Sequence, residues 1–145
     1  MLMNKTILIF IDWFVPGYKA GGPVRSNANM IDHLKAEYTF LVVTRNTDYQ
    51  EDKPYTGITP NQWVKRDHNT WVYYISSDRL NRKHLKYLVK STDFDTAYIN
   101  GIYSWYFSIL PLYLVKKYSD KPVVVAARGM LADSAVGVKS FKKRV

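Results

Sequence analysis

The sequence predicts an α/β protein built on a parallel, doubly wound sheet, and three observations carry that expectation. Five short apolar or β-branched runs alternate with helical patterns along the chain. Two of these runs, 7–11 and 123–127, are apolar almost throughout, as strands covered on both faces are. A glycine-rich turn, Gly21-Gly22-Pro23, follows the first run and opens a helix.

The expected strands are 6–12, 39–44, 71–76, 95–99 and 122–127. The first expected helix covers about 23–36, where Val24, Ala28, Ile31 and Leu34 share a face and Pro23 takes the first turn. The second covers about 78–90, with Asp78 as its cap and Leu85, Leu88 and Val89 as its apolar side. The third covers about 105–118, and Pro111 predicts a kink or a late start. A last helix begins near Asp133 or Ser134. Residues 45–70 are polar, with Pro54, Gly57 and Pro60, and read as a long loop of the kind that is functional or mobile. Alternation of this type gives a Rossmann-like sheet, expected in the order 3-2-1-4-5. Ligands of such sheets bind at the carboxyl ends of the strands.

A chain of 145 residues makes one domain. The net charge of +9 favours anionic partners: nucleotide phosphates, nucleic acid or an acidic membrane surface. Cysteine is absent, which removes disulfides and thiolate metal sites and suits a cytoplasmic protein. Asp12 interrupts the apolar stretch after Lys5 before it reaches the length of a secretory signal, and 102–115 is too short and too polar to span a bilayer. The aromatic content of 15% fits either a tyrosine-rich core or surfaces that face sugars, bases or partners.

Several candidate sites fall at strand ends. Gly21 and Gly22 allow close approach of a phosphate or sugar to the backbone of a helix start, and Arg25 adds a positive charge there; ordinary turns also use such glycines. The segment matches neither the Gly-x-Gly-x-x-Gly fingerprint nor the phosphate loop. Arg128 follows the fifth run, where its planar fork would pair with phosphate or carboxylate; the bland alternative is a surface arginine at a helix end. Asn100 ends the fourth run and could bond a sugar hydroxyl, while Tyr103 and Trp105 could stack on a ring or fold into the core. Arg79, Arg82, Lys83, Lys86 and Lys90 form one stripe of the second helix, either a solvated face or a surface for anionic lipid. His33, His68 and His84 show no metal-ligand spacing, and Asp12 reads as a turn cap.

Four segments in this order resemble the N-terminal domain of a family 4 glycosyltransferase, the retaining GT-B type: Gly21-Gly22-Pro23-Val24-Arg25, residues 98–104, residues 107–111, and Ala127-Arg128-Gly129-Met130-Leu131 followed by Lys139 and Lys142-Lys143. The resemblance spans essentially the whole chain. Ala127 stands where relatives often have proline, and Asn100 where many have histidine. The resemblance implies one half of a two-domain enzyme that moves a sugar from a nucleotide-sugar donor to a glycan or lipid-linked acceptor, without a metal or other cofactor. It implies that Gly21, Gly22, Arg25, Arg128 and Lys139 face the donor diphosphate and that Asn100, Tyr103 and Trp105 lie on the acceptor side. The family's Glu-x7-Glu donor motif cannot lie in this chain, whose only glutamates are Glu37 and Glu51. The donor-binding domain is therefore expected outside it, and the chain alone is expected to be inactive, cytoplasmic, and peripheral to the inner membrane surface if the basic stripe docks there. The alternatives are a standalone anion-binding module for nucleic acid or a membrane surface, and another nucleotide-binding α/β domain of the flavodoxin type.

Overall fold

A computed structural model describes residues 4–126. The elements run β1 (Lys5–Phe10), α1 (Gly22–Leu34), β2 (Tyr38–Arg45), β3 (Trp63–Asp67), β4 (Thr70–Ile75), α2 (Arg82–Ser91), β5 (Thr96–Asn100), α3 (Leu110–Tyr118) and β6 (Val123–Ala126). A short 3-10 turn (Ser77–Arg79) precedes α2, and a π-turn (Trp105–Ile109) precedes α3. The strands form a single six-stranded sheet in the order β3-β4-β2-β1-β5-β6. Every neighbouring pair is parallel except β3–β4. The five strands expected from sequence thus lie in the order foreseen, and the expected helix after Asp133 falls outside the described residues.

The long-loop expectation for 45–70 is corrected by β3. Trp63 stands opposite Tyr73 and Val64 opposite Val72 in an antiparallel hairpin with β4. The strand was hidden because it is an edge: only Trp63 and Val64 are apolar, and Lys65, Arg66 and Asp67 follow without alternation. Charges of this kind protect an edge from pairing with other chains. The second helix also starts later than its sequence suggested. Asn81, and not Asp78, caps it, its Oδ1 accepting from the His84 amide at 2.9 Å. Asp78 instead accepts from the Ser76 hydroxyl at 2.5 Å, within the preceding turn.

Alternation along the central strands divides the core between two faces. Leu8 and Phe10 of β1 join Val43, Ile99 and Val125 beneath Leu85, Leu88 and Val89 of α2 and Leu114 and Val115 of α3. Ile9 and Ile11 point the other way, with Phe40, Val42 and Tyr74, beneath Ala28 and Ile31 of α1. Helices therefore cover both faces, which is why the central strands read as unbroken apolar runs.

Pro111 explains the start of α3. Its nitrogen has no proton to give to the preceding turn, and the backbone widens. The Ile109 amide reaches back to the Ser104 carbonyl at 2.9 Å, and the Leu110 amide to that of Trp105. No helix among the described residues is long and apolar enough to cross a membrane.

Leu114 is fully buried at the α3–sheet interface. Leu114→Ala should cost about 2–5 kcal/mol in urea denaturation, whereas Lys83→Ala on the exposed side of α2 should stay within about 0.5 kcal/mol of the parent.

Candidate functional site

The chain leaves β1 through α1 on one face of the sheet and arrives at β5 through α2 on the other. The strand order therefore switches direction between β1 and β5, and a crevice opens at their carboxyl ends. A cavity of about 240 Å³ sits there, walled by Ile11, Asp12 and Trp13 after β1, by Lys19, Ala20 and Pro23 before and within α1, by Tyr49, and by Asn100 at the end of β5.

The start of α1 forms one side of this crevice. Gly21 has φ 72° and ψ −118°, a conformation that side chains disfavour, so the turn into the helix requires glycine there. The first helical hydrogen bond runs from the Arg25 amide to the Gly21 carbonyl at 3.2 Å. Among the described residues no side chain caps the helix, and its first turn has no acidic residue, so its positive end is left to other partners. A Cβ placed on Gly22 would meet nothing within 4 Å, and its φ is unexceptional, so the fold itself does not require glycine at this position. Arg25 is exposed on the first turn.

Asn100 is held from beneath by Asn27. The Asn27 Nδ2 donates to the Asn100 Oδ1 at 3.0 Å and to the Pro23 carbonyl at 2.8 Å, and both side chains are buried. This pair fastens the start of α1 to the end of β5 across the crevice. Asn27 lies on the apolar side of α1, between Val24 and Ala28, and a polar residue on that face was the available sequence signal for it.

Asp12 does more than cap a turn. Its Oδ1 accepts from Arg45 Nη2 at 3.2 Å and from the Ser104 hydroxyl at 2.9 Å, and its carbonyl accepts from the Arg45 amide and the Thr44 hydroxyl. The Arg45 guanidinium lies 5.0 Å from the Phe107 ring centre and 5.7 Å from that of Trp13. Trp13 in turn meets the edge of Tyr49 at 4.9 Å. A carboxylate closing an apolar parallel strand was the signal for this cluster, although its partners come from distant parts of the chain.

The loop between β1 and α1 is organised by Asp48, whose carboxylate accepts from the amides of Tyr18, Lys19 and Tyr49. Burial pushes the Asp48 carboxyl up, but those amides and the nearby Lys19 charge outweigh it and hold the group below the usual carboxylate range. Gly17 packs so tightly here that a Cβ would lie 2.2 Å from the Tyr55 hydroxyl and 2.8 Å from Asp48 Oδ1. Lys19 forms an ion pair with Glu51 at the outer edge. Burial raises the Tyr74 phenol to about 12, and it donates to the Val15 carbonyl at 2.6 Å.

Of the residues singled out by sequence, Gly21, Gly22 and Arg25 stand at the start of α1 and Asn100 lines the cavity. Tyr103 and Trp105 follow β5 on the same rim but lie outside the cavity lining, with their side chains exposed. Arg128 and Lys139 lie outside the described residues. A larger groove of about 620 Å³, lined by Thr6, Thr39, Trp63 and Trp71 among others, sits at the opposite, amino ends of the strands. None of the sequence-derived candidates among the described residues lines it. No protein-family model, curated protein or solved structure matches this chain.

Two outcomes test this arrangement. Asp12→Ala leaves Arg45 and Ser104 without their acceptor and should lower stability by about 1.5–3 kcal/mol in chemical denaturation. Asp48→Ala should cost about 1–3 kcal/mol at pH 7. Because the native carboxyl is depressed, its contribution is complete above the unfolded value near ~3.9 and is lost as pH falls through the lower native value. The gap between parent and Asp48→Ala in pH-dependent melting should therefore close only in acid below about pH 4.

Proposed function

We propose that this chain is the N-terminal, acceptor-side portion of a retaining glycosyltransferase that moves a sugar from a nucleotide-sugar donor to a glycan or lipid-linked acceptor. One observation carries the reading: at the switch point between β1 and β5, Pro23 at the start of α1 and the buried Asn100, oriented by Asn27, line one crevice, and Gly21 and Gly22 lie in the chain between its lining residues Ala20 and Pro23. The sequence resemblance to family 4 enzymes assigns donor and acceptor roles to the same positions.

In this reading the positive end of α1 closes over the donor diphosphate. Retaining transfer depends on stabilising the charge that grows on the leaving diphosphate, and backbone amides fixed in advance supply that stabilisation without reorganising. Gly22 lets the phosphate approach the backbone, and Arg25 adds charge from the helix's exposed side. Asn100, oriented by Asn27, hydrogen-bonds a sugar hydroxyl. Trp13 and Tyr49 supply aromatic wall. Asp12 has its charge matched by Arg45, so it does not repel the diphosphate as a lone carboxylate would. The donor's main binding surface is assigned to a second domain.

The test is an NMR titration with inorganic pyrophosphate and with uridine diphosphate. The amide signals of Gly22 and Val24 should shift saturably, whereas the Gly21 amide already donates to the Tyr18 carbonyl at 3.0 Å. Gly22→Ala should leave thermal stability unchanged or slightly higher, since its Cβ meets open space, while weakening diphosphate binding on the order of tenfold. Unmoved amide signals at millimolar diphosphate would remove the reading.

A further inference from the structure

Helices α2 and α3 lie side by side on one face of the sheet, and their inward sides are accounted for by the core. Their outward sides are not. Arg82, Lys83, Lys86 and Lys90 project from α2, and Lys116 and Lys117 from α3. Neither helix nor the π-turn before α3 contains an aspartate or glutamate. Among the described residues, no ion pair engages any of these six cations. Tyrosine rings gather four of them instead. Arg82 and Lys117 each lie 5.5 Å from the Tyr113 ring centre, and Lys86 lies 4.7 Å and Lys90 5.4 Å from that of Tyr118. A ring face orders a cation and leaves its charge in place.

Beside this basic field runs an apolar row. Trp105 is 55%, Ile109 45% and Tyr113 47% exposed, at successive steps of four residues. The widened turn that carries Trp105 and Ile109 runs directly into α3, which carries Tyr113. Tyr103, 65% exposed, extends the row to the carboxyl-end rim of the sheet. Contiguous exposed apolar side chains bordered by charge mark an interaction surface.

We propose that the outer face of α2 and α3 docks on an anionic lipid bilayer, with the lysines and Arg82 meeting headgroup phosphates and Trp105, Ile109 and Tyr113 seated at the interface. Charge complementarity and the amphipathic border select this partner. Nucleic acid fits less well. The faces of Tyr113 and Tyr118, in the middle of the basic field, are occupied by cations and closed to stacking bases, the exposed rings of Trp105 and Tyr103 lie at its border, and the aliphatic Ile109 has no role against a phosphate backbone. The sequence had suggested only the α2 stripe; the tertiary packing adds the α3 lysines and the apolar row. The surface stands apart from the glycosyltransferase reading, and its test does not depend on that reading.

The experiment is sedimentation with vesicles of phosphatidylcholine alone and of phosphatidylcholine containing about one third phosphatidylglycerol, over a range of salt. Binding is expected only to the anionic vesicles and should weaken with salt. Neutralising Lys86, Lys90 and Lys117 together to Gln should weaken it on the order of a hundredfold, roughly fivefold per charge. Trp105→Ala with Ile109→Ser should weaken binding while preserving its salt dependence. Lys65→Gln, on the opposite edge of the sheet, should leave it unchanged. Circular dichroism checks that each variant folds, as substitutions at exposed positions should allow. Absence of binding to anionic vesicles at low salt would overturn the proposal. So would binding indifferent to Trp105 and Ile109, binding of a DNA duplex through the same lysines without vesicle binding, or a dimer abolished by Ile109→Ser with no affinity for lipid.

Discussion

The Asp12 carboxylate ties together three elements that the rest of the crevice depends on. It stands two residues past the end of β1 and takes hydrogen bonds from Arg45 at the end of β2 and from Ser104 at the entry to the π-turn. Ser104 also accepts from the Phe107 amide, so the carboxylate sets the start of the segment leading into α3. Arg45 is in turn flattened against Trp13 and Phe107. A parallel sheet leaves its carboxyl ends as loose loops unless something bridges them, and here one charged group bridges the ends of β1 and β2 and the segment after β5. Charge-assisted hydrogen bonds in a partly buried setting are strong enough to hold such a junction, and losing one partner leaves the others stranded.

Around that junction the molecule separates its electrostatic roles. At the crevice, positive potential comes from the backbone at the start of α1, with Arg25 beside it, while Asp12 and Asp48 are engaged by Arg45 and by main-chain amides. On the α2–α3 face, positive potential comes from side chains that no carboxylate among the described residues offsets. The first arrangement suits one small anion at a defined distance, because amides are fixed in direction. The second suits an extended charged surface, because lysines adapt to whatever phosphates they meet. The net charge of +9 is thus distributed between structurally different surfaces, which a single total conceals.

Much of the fold was legible before the structure. The apolar runs at 7–11 and 123–127 marked buried strands, because strands covered on both faces have no polar side to display. Pro23 located the start of α1, and Pro111 announced the irregular start of α3. What escaped notice was local and polar. Strand β3 is half-charged and gains its identity from Tyr73 and Val72 opposite it, which no window of sequence around Trp63 contains. Asn81 rather than Asp78 caps α2, a choice between two good capping residues three positions apart, settled where the backbone turned at Leu80. At the candidate site, Gly21, Gly22 and Asn100 were readable because glycines and strand-end amides are conspicuous. Asn27 was marked only as a polar residue on an apolar helix face, and Trp13 and Tyr49 were not marked at all, since their relevance comes from neighbours distant in sequence.

The sequence by itself determined the class of fold, the order of its five parallel strands and the glycine entry to α1, because hydrophobic period and backbone permissiveness are local properties. Only the tertiary structure decided which polar residues meet. It joined Asn27 to Asn100, gathered Arg45 and Ser104 on Asp12, and brought the lysines of α3 beside those of α2. These pairings follow from how the crossovers place the helices on opposite faces of the sheet, a geometry that hydrogen bonds between distant strands impose and that no single segment encodes.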